Sequence, residues 1–275
     1  MSEADNTRHA FDRAISLTPS APNRFTGHTT DAYSNMVGPF GGITAAALLN
    51  AVLQHPERIG EPVALTVNFA GPIAAGEFVI EALPVRTNRS TQHWTLQLLQ
   101  NDMVATTATV FCAMRRETWS EQELPAPEAP APETLPPLPD IGLHGWTANY
   151  DFRFVSGMFN PSRPASEAPA SSRSLLWIRE QPQRPLDFPA LAALGDSFFP
   201  RLFTRRQRFV PAGTVSMTLY FHTDSAQLAE IGSDYLLAEA VANQTRNNYF
   251  DQSAHLWSRD GQLLLSSTQI VYFKE

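Results

Sequence analysis

The same order of elements occurs twice along this chain, once on each side of a proline-rich segment. In the first copy, an Ala/Leu-rich helical stretch precedes four strand-like runs, at 63–69, 77–86, 93–100 and 103–114. In the second copy, short runs at 150–154 and 174–179 precede a helical stretch at 188–202 that Gly195 and Pro200 interrupt, and four strand-like runs follow at 215–221, 235–242, 248–258 and 263–273. Internal repetition of this kind predicts two similar folding units.

The two copies can also be aligned residue by residue. VALTVNF in the first copy and VSMTLYF in the second share the pattern V-x-x-T-x-x-F, which aligns Thr66 with Thr218. Strands that follow a helix, rather than alternating with helices, favour an antiparallel sheet in an α+β layer fold. A sheet curled around a central apolar helix is the hotdog arrangement. The sequence therefore predicts a double hotdog of two tandem repeats.

A proline-rich segment separates the two copies. Residues 122–140 hold seven of the 22 prolines, and proline fixes φ and lacks an N–H, so a helix interior or central strand is excluded there. An extended, polyproline-like spacer is expected instead. We therefore predict an N-terminal repeat at 1–121, a proline-rich linker at 122–143 and a C-terminal repeat at 144–275.

Composition excludes several classes of function. Cys112 is the single cysteine, which removes intrachain disulfides and thiolate zinc sites, and Lys274 is the single lysine, which removes P-loop and Schiff-base chemistry. The net charge of −7 argues against a nucleic-acid partner. No apolar run approaches the ~18–20 residues of a membrane helix, and the first 25 residues lack a signal-peptide core, so a cytoplasmic protein without a membrane partner is expected.

The standard catalytic motifs are missing from the sequence. G-x-S-x-G, G-x-G-x-x-G and H-E-x-x-H do not occur, and the histidines lack metal-ligand spacing. Cys112 lies in the apolar run TVFCAM and is interpreted as a buried small hydrophobe rather than a nucleophile. No metal and no cofactor are predicted.

Five stretches together resemble the acyl-CoA thioesterase II (TesB-like) family of double-hotdog thioesterases. They are GPFGGITAAALLNAV, RSLLWIR, ALAALGDSFFP, GTVSMTLYFH and GQLLLSSTQIVYF. The family's corresponding patterns include F-G-G-x-x-x-x-A-L, W-I-R, L-x-Y-x-S-D-x-x-F-L-P and A-T-x-D-H-S-M-W-F-H. The resemblance covers nearly the whole chain outside the linker and the first ~20 residues.

The resemblance implies a fatty acyl-CoA substrate that is hydrolysed to free acid and CoA without a covalent intermediate. The family's water-orienting Asp, Thr and Gln fall on Asp196, Thr214 and Gln269. Such a carboxylate can act as general base, while amide and hydroxyl groups complete the geometry around the water. From the residues alone, Asp196 also fits a helix cap, Thr214 a strand start and Gln269 a solvent-facing strand position.

Two further pairs are candidate substrate-binding residues. Gly41 and Gly42 open the first helix, where free backbone N–H groups can hold an oxyanion and the missing Cβ allows close approach. Arg205 and Arg206, in TRRQRF, can anchor CoA phosphates, although a solvated loop is the slightly favoured interpretation.

Two alternatives to a thioesterase stay open. A non-catalytic acyl-CoA binder on the same fold is suggested by Ser216, Met217 and Ile270, which replace polar family residues. A hotdog hydratase or dehydratase is less favoured, because no Asp–His pair accompanies GPFGG. A homo-oligomer, a dimer of double hotdogs, is expected.

Overall fold

A computed structural model describes residues 8–142, 145–162, 164 and 167–275. These residues form five α-helices: α1 (Ala10–Ala14), α2 (Gly41–Leu53), α3 (Phe188–Leu194), α4 (Arg201–Arg206) and α5 (Ser225–Ile231). The strands of the N-terminal half are β1 (Thr18–Ala21), β2 (Arg24–His28), β3 (Glu61–Phe69), β4 (Glu77–Thr87), β5 (Thr91–Gln100) and β6 (Met103–Ala113). Those of the C-terminal half are β7 (Tyr150–Ser156), β8 (Ser174–Glu180), β9 (Ala212–Phe221), β10 (Leu236–Val241), β11 (Thr245–Arg246), β12 (Tyr249–Trp257) and β13 (Leu263–Phe273).

All the strands belong to one antiparallel sheet. Its order is β1-β2-β4-β5-β6-β3-β9-β13-β12-β10-β8-β7, with β11 paired to β12. The halves join where β3 pairs with β9, and Thr66 lies directly opposite Thr218, with 3.0 Å between their hydroxyl oxygens. The two threonines aligned by the repeat therefore face each other across the join, as expected when equivalent strands pair about a local twofold axis.

The two long apolar stretches form the centre of the core. All seven residues of α3 and ten of the 13 residues of α2 are buried, which is typical of helices enclosed by other elements. Their enclosure is made by the inner face of the sheet, where alternate side chains of β5 such as Trp94, Leu96 and Leu98 are buried. The predicted α+β double-hotdog fold is confirmed.

The helical stretch predicted at 188–202 is two helices. Asp187 caps α3, its carboxylate accepting a hydrogen bond from the Ala190 N–H at 2.9 Å, and Gly195 ends the helix. A turn without helical structure then leads to Pro200, which precedes α4. This interruption places Asp196 in a turn between the two helices.

The proline-rich segment is packed against the C-terminal sheet. Ala126, Ala129 and Leu135 contact an apolar cluster on the sheet face opposite the helices, which we call the outer cluster and which consists of Leu175, Trp177, Tyr235, Leu237 and Trp257. The indole N–H of Trp177 donates to the Pro130 carbonyl at 2.8 Å. The segment thus covers apolar surface as well as connecting the halves. The predicted boundary at 143/144, and the first seven residues of the predicted N-terminal repeat, lie outside the described residues.

Candidate active site

A cavity of about 580 Å³ lies at the amino-terminal end of α2. Both halves of the chain line it. The N-terminal half contributes Phe40, Gly41, Thr44 and Phe69, and the C-terminal half contributes Trp146, Phe198, Phe199, Phe203, Asp196, Thr214 and Gln269. We call this space the Asp196 cavity. Its walls combine apolar side chains, many of them aromatic, with convergent polar groups, which is the usual character of a small-molecule site.

The three residues assigned by the resemblance meet at this cavity. Gln269 on β13 donates an amide hydrogen bond to the Asp196 carboxylate at 2.7 Å. Thr214 on β9 donates its hydroxyl hydrogen to the Gln269 carbonyl oxygen at 3.1 Å. The strands that carry Thr214 and Gln269 are neighbours in the sheet, and a register irregularity beside Ile270 sets Thr214 opposite Val271. The structure therefore brings together residues that are far apart in sequence.

The direction of these hydrogen bonds is fixed by chemistry. An ionised carboxylate only accepts, so the NH₂ end of Gln269 must face Asp196 and its carbonyl must face Thr214. The Thr214 hydroxyl then donates, leaving its oxygen free to accept from a bound molecule. The second amide hydrogen of Gln269 is free to donate to one.

A backbone group from the other half completes the surroundings of the carboxylate. The N–H of Gly42, in the first turn of α2, donates to Asp196. A Cβ on Gly41 would lie 2.7 Å from the Asp196 Oδ2 atom, and one on Gly42 would lie 2.6 Å from the Ala193 carbonyl. Glycine is therefore needed at both positions for α2 to approach Asp196 and α3. Of the two glycines predicted to hold an oxyanion, Gly42 directs its N–H at Asp196.

Burial raises the pKa of Asp196 to about 7, while the hydrogen bonds from Gln269 and Gly42 act in the opposite direction. Removing a carboxylate from water disfavours its charged form, and here this effect is the largest. The side chain is consequently poised to exchange a proton near neutral pH. This is the property expected of a general base.

Arg205 and Arg206 follow the cavity-lining residue Phe203 closely in the sequence. Neither arginine is among the described residues that line the cavity. Both belong to the last turn of α4; Arg205 is exposed and Arg206 forms an ion pair with Glu275. Their contact with CoA phosphates stays a prediction.

Sequence reasoning missed two residues, Gln252 in the cavity wall and Arg201 behind it. Arg201 is fully buried and hydrogen-bonded to Gln252, which lines the cavity. In the sequence, Arg201 falls in the helical stretch predicted at 188–202, directly after Pro200. Its burial depends on strands from distant parts of the chain, so no local signal could have identified it.

Other chemistries find little support in the described ranges. No group of three or more His, Cys, Asp or Glu side chains there could hold a metal ion, and no helix there is long and apolar enough to cross a membrane. Cys112 is buried, and burial raises the pKa of its thiol to about 12, so it is a poor nucleophile.

Two hotdog repeats in one continuous sheet, with a cavity between the halves, define a protein of the double-hotdog class. Sequence models for the two domains of acyl-CoA thioesterases match the chain, the N-terminal domain at residues 30–113 and the C-terminal domain at residues 124–273. The chain therefore belongs to the acyl-CoA thioesterase family. No curated protein matches it in a sequence search.

Solved structures agree on the fold. A hotdog-fold protein of unknown function from Alicyclobacillus acidocaldarius is 45% identical, with a TM-score of 0.92 over 98% of this chain and 99% of that one. The tesB protein of Mycobacterium avium subs paratuberculosis is 18% identical, with a TM-score of 0.77 over 96% of this chain and 98% of that one. The acyl-CoA thioesterase II TesB2 of Mycobacterium marinum is 17% identical, with a TM-score of 0.74 over 96% and 98%.

Proposed function

We propose that this protein hydrolyses fatty acyl-CoA thioesters to the free acid and CoA, using a water molecule held by Asp196, Thr214 and Gln269. The observation that carries the proposal is the directed chain of hydrogen bonds from Thr214 through Gln269 to Asp196 at the wall of an aromatic cavity. Family membership supports a thioesterase in general. The cavity supports the assignment of roles.

Asp196 would act on the water. Its carboxylate accepts a proton as the water oxygen bonds to the thioester carbonyl carbon, and the carbonyl becomes an oxyanion. The C–S bond then breaks, the carbonyl re-forms, and the proton held on Asp196 passes to the departing CoA sulfur. Each proton has a defined place, and no covalent bond to the protein is needed.

Thr214 and Gln269 would fix the position of the water. Because Thr214 donates to Gln269, the free lone pairs of its hydroxyl can accept from the water. Gln269 holds the Asp196 carboxylate with one amide hydrogen and can offer the second to the water or the thioester oxygen. Fixing the reacting groups in this way lowers the entropic cost of reaching the transition state.

The test is thiol release from CoA thioesters of increasing acyl length. We expect Asp196→Ala and Gln269→Ala each to lower kcat by about 10²–10³, the loss typical of a positioned catalytic group. Gln97→Ala is a matched control, because Gln97 is an exposed residue of β5 on the outer face of the sheet. Wild-type rates in both site variants would reject the assigned roles.

A non-hydrolytic acyl-CoA binder is the alternative that Ser216, Met217 and Ile270 suggest. None of the three is among the described lining residues of the Asp196 cavity. Ile270 is 38% exposed, since strand alternation turns it away from the side that Gln269 faces. These departures from the family pattern therefore leave the proposed catalytic group unchanged, and the hydrolase is the better supported function. Tight acyl-CoA binding without thiol release would favour the binder.

A further inference from the structure

Arg201 is a buried cation with no anionic partner among the residues that the structure describes. Its side chain is 1% exposed, and none of the described ion pairs includes it. All its recorded acceptors are neutral oxygens: the Gln252 carboxamide at 3.0 Å, the Ser174 hydroxyl at 2.9 Å, and the carbonyls of Ser172, Ala240 and Phe199. The guanidinium carbon also lies 5.7 Å from the ring centroid of Phe198. These contacts hold the guanidinium in place behind the cavity wall, but none of them supplies a negative charge to balance it.

Arg201 determines which end of Gln252 faces the cavity. A guanidinium has donors only, so the atom of Gln252 that faces it must be the carbonyl oxygen. The NH₂ group therefore points away from Arg201. Gln252 is 4% exposed and lines the Asp196 cavity, and its NH₂ group makes no hydrogen bond to any described residue. Two donor hydrogens thus lie at a cavity wall without an acceptor in the described part of the chain.

Gln252 lies one strand away from the proposed catalytic group. It is directly opposite Gln269 in the pairing of β12 with β13, so the two side chains emerge on the same face with Cβ atoms roughly 4.5–5.5 Å apart. Gln269 extends to Asp196, whereas Gln252 extends to Arg201. A substrate with its thioester at Asp196 and its acyl chain directed along β12 has that chain within reach of the Gln252 NH₂ group.

We propose that Gln252, held by Arg201, forms a specificity subsite for acyl groups that carry an oxygen acceptor a few carbons from the thioester. This inference rests on the proposed function, because it places the thioester at Asp196. A plain alkyl chain would bury the two donors without a partner, which is costly. A keto oxygen or carboxylate would satisfy them, and a carboxylate would also be attracted by the charge of Arg201.

The alternative is a purely structural role, in which Arg201 only holds neighbouring segments together. A clamp explains its contacts with Ser172, Ala240 and Phe199. It does not require a carboxamide between the guanidinium and the cavity, where an apolar residue would complete the aromatic wall. A clamp also predicts no effect of Gln252 on the choice of substrate, which makes the two interpretations separable.

The experiment compares three CoA thioesters with the same five-carbon acyl length, pentanoyl-CoA, 4-oxopentanoyl-CoA and glutaryl-CoA. We expect wild type to hydrolyse both oxygen-bearing substrates at least about tenfold more efficiently in kcat/KM than pentanoyl-CoA. Gln252→Leu keeps the volume but removes the donors, and is expected to abolish that preference, because the acyl oxygen then has no protein donor at this wall. The kcat/KM for pentanoyl-CoA is measured in the same variant, so that a general loss of activity is distinguished from a loss of preference.

A second variant covers the case in which Gln252→Leu does not fold. In Gln252→Glu, the new carboxylate pairs with Arg201 but also faces the cavity, where it repels the carboxylate of glutaryl-CoA. We therefore expect kcat/KM to fall more for glutaryl-CoA than for pentanoyl-CoA. Equal kcat/KM for the three substrates in wild type, or an equal loss for all of them in the variants, would overturn the subsite.

Calorimetry separates this inference from the proposed function. Each ligand is titrated into Asp196→Asn, which keeps the cavity but lacks the base. Tighter binding of glutaryl-CoA than of pentanoyl-CoA, lost on adding Gln252→Leu, supports the subsite even if wild type releases no thiol. Hydrolysis by wild type without any binding preference rejects the subsite alone.

Discussion

At the scale of single residues, Asp196 shows how burial can produce reactivity. Its pKa is raised to about 7 from the ordinary 3.8, mainly because the carboxylate is removed from water. Between these two pH values Asp196 is ionised in the unfolded chain but still protonated in the folded chain. This difference favours the unfolded chain, so the free energy of unfolding falls as pH rises from about 3.8 to about 7. In the proposed function, this loss of stability accompanies a base that works near neutral pH.

We expect the pH dependence of hydrolysis to follow this carboxylate. Below about 7 Asp196 is protonated and cannot accept a proton from water, so kcat/KM should fall tenfold per pH unit on the acidic side and reach a plateau above about 7. A rate profile from pH 3 to 9 with an acyl-CoA that is stable over this range measures this. Asp196→Asn should give a low rate without that inflection. An inflection near 4 in wild type would show that the acting carboxylate is solvated.

Only some of the residues of this site could be predicted from the sequence. Asp196, Thr214 and Gln269 were assigned through a family resemblance, since each also fits an ordinary structural role, and their meeting at one cavity depends on strand pairing over long separations. The Arg201–Gln252 pair was not predictable. Nothing local in FFPRLF shows that its arginine will be enclosed by β10 and β12.

At the scale of elements, the sequence predicted which long strands exist better than it predicted the residues at which they begin and end. The runs at 263–273 and 103–114 correspond to β13 (Leu263–Phe273) and β6 (Met103–Ala113), because alternating β-branched and aromatic residues are a strong signal. The short elements β1, β2 and α5 were missed. Their small number of residues carries little periodicity, and β1 has no buried position.

The start of α2 makes a sharp prediction about Gly41. Alanine there is compatible with a helix start and does not lower helix propensity, but its Cβ would lie 2.7 Å from Asp196 Oδ2. The carboxylate must therefore shift, and we expect kcat/KM to fall about 10–100-fold, as for other ångström-scale misplacements. Thermal unfolding should change little.

Gly71→Ala is the matched control for Gly41→Ala. Gly71 also lines the Asp196 cavity, yet a Cβ there has its nearest neighbour, the Ala105 Cα, at 4.0 Å. This variant should retain wild-type activity. If both substitutions had the same effect, the contact between α2 and Asp196 would not be the cause.

The proline-rich segment is an element whose role the sequence concealed. Its composition predicts a spacer, whereas the structure packs it on the outer cluster, where Trp177 is 5% and Trp257 is 1% exposed. Replacing residues 124–138 by Gly and Ser of equal length should expose both indoles. We expect red-shifted tryptophan fluorescence and a lower unfolding temperature, measured together in one thermal scan.

A matched replacement of residues 116–121, which are exposed throughout, provides the control for that experiment. It alters the same connection between the halves without uncovering the outer cluster, although it does remove the exposed Trp119. Comparison of unfolding temperatures therefore decides the issue. An unchanged temperature after replacement of 124–138 would mean that the segment is only a spacer.

At the scale of the whole molecule, one site is assembled from two unequal copies of the same unit. The C-terminal half supplies Asp196, Thr214 and Gln269, while the N-terminal half supplies the Gly42 N–H and the walls formed by Phe40 and Phe69. The repeat was predictable because equivalent strands kept a common pattern. The division of roles was assigned only through the family resemblance, because it depends on which copy places its helix start against the other. A dimer of double hotdogs stays a prediction.

Cutting the chain between the halves tests this division. A protease site inserted at 116–121 lies in exposed chain, and the pairing of β3 with β9 together with the packing of α2 on α3 should hold the two pieces together after cleavage. We expect the pieces to elute together in size-exclusion chromatography and to retain thiol release.

The C-terminal piece alone contains all three proposed catalytic residues, yet it should be inactive, because Asp196 then loses both the Gly42 N–H and the apolar surroundings that raise its pKa. Circular dichroism establishes whether that piece is folded, and adding the N-terminal piece should restore the rate. Full activity of the C-terminal piece by itself would show that one hotdog suffices and that the other half serves another purpose.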